Sequence, residues 1–258
     1  AGVCLGVATL VKLYPGLLLL YLVFQRRWRC LGVFVAMLFG GVAIMNVTIG
    51  TDTLLSYVQF VIPEHFRIYG SYPLNISIGS GIKTIFEPTE FSQPPIPVRE
   101  IGQVLTVVIG GLLILAVSVF SYLHTEEKYA DDVFSLFCIA MLLTSPITWY
   151  HSCILLVLPL TQMTRSLAQE TQASWRTLLL VLILCGVPNQ ELIDGFIAFT
   201  GTTQIPWYVV LGARTGLFGL ILLYCFFWKR LAKEAGYVSV GNLFRSLRLR
   251  ILQPQAFQ

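Results

Sequence analysis

Three long stretches, residues 31–50, 101–123 and 133–164, contain no Asp, Glu, Lys or Arg. Apolar blocks of that length mark membrane-crossing helices, each needing about 20 residues to traverse about 30 Å of hydrocarbon. The alternating apolar-out, polar-in pattern of a membrane barrel is absent, which leaves helices as the way to satisfy the backbone inside lipid. Composition agrees: 56% of the 258 residues are hydrophobic and 12% charged, where a soluble domain runs at about 45–50% and about 25%. A water-soluble globular domain is excluded. The expected fold is all-α: a polytopic helical membrane protein, with one transmembrane domain over residues 1–258.

The net charge of +4 comes mostly from clusters near span ends. No basic stripe interleaved with aromatics points to nucleic acid as a partner. The cysteines, Cys4, Cys30, Cys138, Cys153, Cys185 and Cys225, are scattered through apolar segments without C-x-x-C spacing. They read as small buried hydrophobes, so neither a metal site nor a disulfide framework is expected, and no cofactor. The chain opens at Ala1 inside an apolar run, without Met or a charged leader and cleavage site, and is expected to be N-terminally incomplete.

Charge sets the expected topology. Residues 1–24 form a first span that ends in Arg26-Arg27-Trp28-Arg29, a basic cluster with an interfacial Trp of the kind that anchors a cytoplasmic helix end. Residues 31–49 return outward. Residues 50–100 then make the one long polar region, acidic on balance and therefore external, with Asn75-Ile76-Ser77 matching the short glycosylation pattern. Residues 101–123 go back in. The block at 133–164 is broken by Ser145-Pro146, where Pro removes a donor and disfavours helix at the residue before it. It is either one kinked helix or two short ones, 133–144 and 147–164. The second reading is preferred because it leaves the basic tail, residues 229–258, in the cytoplasm. With spans at 176–190 and 207–228, about seven membrane segments result.

Lys12, His151 and Arg214 are the basic side chains well inside these spans. Ionisable groups in lipid are expensive enough to be functional candidates by default. Helix rise from the nearest inner-face basic residue puts each roughly 21–23 Å above the inner boundary, in one layer facing the external loop. With two cations, a histidine and no carboxylate, that layer suits an anion such as a phosphate.

The ordered set Lys12-Leu13-Tyr14-Pro15, a leucine run, Arg26-Arg27-Trp28-Arg29, Asn75-Ile76-Ser77 and Ser145-Pro146-Ile147-Thr148-Trp149-Tyr150-His151 resembles glycosyltransferase family 87, the polyprenol-phosphate-mannose-type transferases of the GT-C superfamily. The resemblance implies an inverting membrane transferase with a GT-C-like fold. It would move a hexose, mannose in the first instance, from a polyprenyl-phosphate donor to a lipid or glycan acceptor on the external face of a bacterial plasma membrane. The family's acidic base commonly lies in the first external loop, near the beginning of the protein, and is expected to be missing from this stretch. Lys12 and Arg214 would contact the donor phosphate, and Asn75 and His151 would orient a sugar. Tyr14, Ser77 and Trp149 complete the expected substrate-binding set.

Two other classes fit the composition. A flippase or transporter of a lipid-linked or anionic substrate would use the same cationic layer, although neither an internal repeat nor an intramembrane acid supports it. A structural subunit would pair Lys12 and Arg214 with acids of a partner.

Overall fold

The first apolar run does not form one helix. α1 (Gly2–Val11) stops at Lys12, whose backbone is extended (φ −141°, ψ 126°), and the chain continues through a 3-10 turn at Tyr14–Leu17 into α2 (Leu18–Phe24). Pro15 accounts for the break, since it lacks the N–H that would bond Val11 O and its ring would clash with that carbonyl if the helix continued. In the computed structural model, which describes residues 1–89, 92–169, 175–202 and 204–234, every long element is helical.

After the basic cluster comes α3 (Trp28–Ile49). The polar region 50–100 is itself mostly helical. α4 (Thr51–Ser56), a π-helical turn at Tyr57–Val61 and α5 (Ile62–Gly70) run on from one another, and Ser77 caps α6 (Ile78–Phe86) by accepting from Ser80 N. Then follow α7 (Arg99–Leu123), α8 (Ala130–Thr144), a 3-10 segment at Tyr150–Leu156, and α9 (Val157–Gln169). The last described elements are α10 (Trp175–Gly186), α11 (Asn189–Thr200), α12 (Trp207–Ala213) and α13 (Thr215–Glu234).

The block at 133–164 follows the preferred two-helix reading in outline, with a 3-10 segment where the second helix was expected to begin, and two further expected spans are corrected. The helix ends before Ser145-Pro146, and α9 packs back along α8, with Gln162 Nε2 donating to Asp131 Oδ2 at 3.0 Å, so the block at 133–164 is a hairpin and not one kinked helix. The span expected at 176–190 stops at Gly186, because Pro188 lies just beyond it. Glu191 and Asp194 fall in α11, which is bent 64° from α10. The span expected at 207–228 is interrupted by Arg214. Among the described residues three helices, α3, α7 and α13, are long and apolar enough to cross a membrane, four with the bent pair α10 and α11. The other segments expected to cross are shorter pieces. Of the basic tail at 229–258, residues 229–234 continue α13, and the remainder lies outside the described residues.

The core is built around α8, whose residues from Ser135 to Leu143 are all buried. α2, α7, α9 and α13 pack against it, and Arg230 Nε reaches Asp132 Oδ2 at 2.8 Å to tie α13 to its start. By contrast α3 and α7 turn apolar side chains outward, with Phe39 75%, Val47 84% and Val107 73% exposed. Outward apolar faces on helices of this hydropathy are lipid-facing surface. The chain is a multi-pass membrane protein.

Candidate functional site

Each break in the helices carries one of the polar side chains that lipid would not tolerate. At the α1–α2 break, Lys12 Nζ lies 2.9 Å from His151 Nε2, which sits in the 3-10 segment after the Ser145-Pro146 break. An ammonium has only donors, so Lys12 donates and the imidazole accepts at Nε2, leaving its proton on Nδ1. The Lys12 ammonium also lies 5.7 Å from the centre of the Tyr14 ring.

These groups open into a cavity of about 400 Å³ lined by Lys12, Tyr14, His65, Trp149 and His151 together with Val61, Ile62 and Phe66. Lys12, His65 and His151 are all exposed to it. No Asp or Glu is among the described residues that line it. Three basic groups over an apolar floor are a site for an anion with an apolar attachment. One wall is aromatic: His65 lies 4.5 Å from Tyr69, and Trp149 5.9 Å from Tyr69 and 5.7 Å from Tyr72, between ring centres.

The structure therefore brings together Lys12, Tyr14, Trp149 and His151 from the sequence-derived set, and adds His65. Sequence reasoning passed over His65 because it stands in a polar stretch between charged neighbours. The available signal was the i, i+4 pair His65 and Tyr69 on one face of an amphipathic helix.

Asn75, Ser77 and Arg214 lie elsewhere, fully buried beneath the wall. Asn75 is saturated. Its Nδ2 donates to the carbonyls of Tyr69, Gly70 and Pro146, the last at 2.8 Å, and its Oδ1 accepts from the backbone of Ser77 and Thr148, each at 3.0 Å. With Ile76 N donating to Thr148 O at 2.9 Å, it pins the turn before α6 to the segment leading to Trp149 and His151.

Arg214 has no carboxylate partner among the described residues. Its guanidinium donates to the carbonyls of Ser71, Tyr72, Pro73 and Asn75 and to Thr84 Oγ1 at 3.0 Å. It gathers the carbonyls of the turn at 71–75, although Tyr72 O also accepts from Asn75 N. Asn189 Nδ2 adds a bond to Pro73 O at 3.0 Å. Tyr150 Oη donates to Val187 O at 2.6 Å, so the His151 segment is also tied to the α10–α11 bend. One group of residues faces the cavity, and a second holds the backbone that carries them.

A multi-pass membrane protein with a cationic cleft at its helix breaks is the class this geometry defines. The chain belongs to glycosyltransferase family 87, whose family model matches residues 1–146, and it is thereby a membrane glycosyltransferase. The match takes in Lys12, Tyr14, His65 and Asn75 and ends just before Trp149 and His151. Neither a curated protein nor a solved structure matches the chain.

Proposed function

We propose that the protein transfers a hexose, mannose in the first instance, from a polyprenyl-phosphate donor to a lipid or glycan acceptor on the external face of a bacterial plasma membrane. The observation that carries this reading is the Lys12–His151 contact inside a cavity with basic groups and apolar walls. A polyprenyl phosphate has the matching form, an anionic head on an apolar chain.

As the glycosidic bond to phosphate breaks, negative charge grows on the departing phosphate oxygen, and preorganised cations stabilise it there. Lys12 is the permanent charge. His151, held as an acceptor by Lys12, fixes where the ammonium stands against the phosphate. Tyr14 and Trp149 offer ring faces to the sugar. Asn75, Ser77 and Arg214 act as positioning residues, through the segment that carries Trp149 and His151. The acceptor hydroxyl needs a carboxylate base, a role that no cavity-lining residue described here fills. The short helices serve as part-depth segments of the seven-segment topology, with the cavity toward the outside.

The test is transfer from polyprenyl-phosphate mannose by the full-length protein in proteoliposomes. Lys12→Met is expected to raise the KM for the donor and lower kcat, a combined loss of at least about tenfold, and Lys12→Arg to retain more activity because charge is preserved. Lys12→Met with the parent's donor kinetics would overturn the assignment.

A further inference from the structure

α4, the π-helical turn and α5 run along the cationic cavity and give Tyr57, Val61, Ile62, His65 and Phe66 to its lining. On a regular α-helix, at about 100° per residue, those five positions would spread over about half a turn, and Glu64 would stand beside Tyr57. The π-turn carries one extra residue, and Ile62 N closes it by donating to Tyr57 O. Everything after it is set back by about 100°, which gathers the five side chains into about a third of a turn with His65 near the middle. Glu64 is turned out of the lining, where it holds Arg67 through bonds of 2.6 and 2.7 Å.

Pro63 is the local cause of the slip. In a continuous α-helix its ring would clash with Gln59 O and leave that carbonyl without a donor, and the wider turn just before it avoids the clash. The phase of the whole segment is thereby written in one residue. His65, two residues on, lies against the aromatic wall through Tyr69, 4.5 Å between ring centres, and its nitrogens have no hydrogen-bond partner among the described residues.

The residue that the slip selects matters for an anion. A carboxylate on this face would repel a phosphate, whereas an imidazole N–H can donate to one. The two unesterified oxygens of a phosphodiester accept more hydrogen bonds than Lys12 alone supplies, and His65 offers a donor from a third element, beside the α1–α2 break and the His151 segment. We infer that His65 is a further donor to the phosphate in the cationic cavity, and that Pro63 is a positioning residue that, through the π-turn, turns His65 in and Glu64 out. The inference rests on the proposed donor reading and adds to it the element that completes the phosphate site.

The experiment is binding of polyprenyl phosphate to the full-length protein in nanodiscs, with inorganic phosphate as a second probe and thermal melting of each preparation. His65→Gln is expected to bind polyprenyl phosphate about tenfold more weakly, the loss typical of a hydrogen bond to a charged group, with its melting temperature unchanged. Pro63→Ala lets the segment close in α register and should lose at least as much, because Glu64 then takes the place of His65 on the cavity face. Deleting Gln59 from Pro63→Ala removes the extra residue, returns His65 to the cavity and should restore binding, which a variant that had merely lost its fold would not do. Exchanging the two residues in the parent, by Glu64→His with His65→Glu, repeats the test without touching Pro63 and should weaken binding too. Parental affinity in His65→Gln, with Lys12→Met weakened, would overturn the role of His65 and leave the donor reading standing. Parental affinity in Pro63→Ala, or no recovery on deleting Gln59, would overturn the positioning role. A parent that binds inorganic phosphate through His65 but no polyprenyl phosphate would sink the donor reading and spare His65, and binding of neither probe would sink both.

Discussion

Lys12 and Arg214 are both cations set in apolar sequence, yet they end in opposite environments. Lys12 is exposed at a helix break and bonds a side chain across the cavity, whereas Arg214 is fully buried and bonds mostly backbone. The difference follows from their chemistry. A guanidinium offers five donors in a fixed fork and can satisfy a cluster of carbonyls, while an ammonium is a compact charge that stays where a ligand can reach it. Arg214→Met would remove the donors that hold the turn together, leaving Tyr72 O and Pro73 O only their bonds to Asn75 N and Asn189 Nδ2. It is expected to lower stability by about 2–4 kcal/mol, with specific activity per folded molecule reduced far less than in Lys12→Met. Melting temperature and transfer measured on one preparation check this, and a stable Arg214→Met variant that has lost donor binding would return Arg214 to the phosphate.

At the scale of elements, α1 reaches its place by close backbone packing on α3. A Cβ on Gly6 would fall 2.6 Å from Met37 Cβ, and one on Gly2 2.5 Å from the Cys30 carbonyl oxygen, so these glycines allow an approach that larger residues would block. Gly40, also in α3, has open space at the same test. Gly6→Ala is therefore expected to destabilise by about 1–3 kcal/mol through overpacking. Gly40→Ala should stabilise by about 0.5–1 kcal/mol, since it loses backbone entropy of the unfolded chain without a clash. Thermal melting in detergent decides: the order Gly40→Ala, parent, Gly6→Ala supports the packing, and the reverse order contradicts it.

For the whole molecule, hydropathy made the membrane class legible, and Pro15 and Ser145-Pro146 announced two of the breaks. The order of short motifs was enough to suggest the family. The depth count made from the sequence treated each span as a continuous helix, and that assumption failed at Lys12, at His151 and at Arg214, where the backbone leaves the helix. Lys12 and His151 met because their breaks face one another across the cavity. Arg214 did not join them, because the fate of a buried cation depends on which carbonyls the distant turn at 71–75 presents to it, and local pattern does not report that. Asn75 stood out through its motif, but its part in joining two segments is a tertiary fact. His65 depends on the same kind of long-range placement.

The central claim is that the Lys12–His151 cavity takes the donor phosphate, and His151→Ala in the full-length protein tests it most directly. His151 is exposed, so its removal leaves no buried group unpaired and should not unfold the chain. Specific transfer from polyprenyl-phosphate mannose should fall by more than about tenfold, or about 1.4 kcal/mol of transition-state stabilisation, with the melting temperature of the same preparation unchanged. A variant that melts lower yet transfers at the parent's specific rate would make His151 a packing residue and contradict the account.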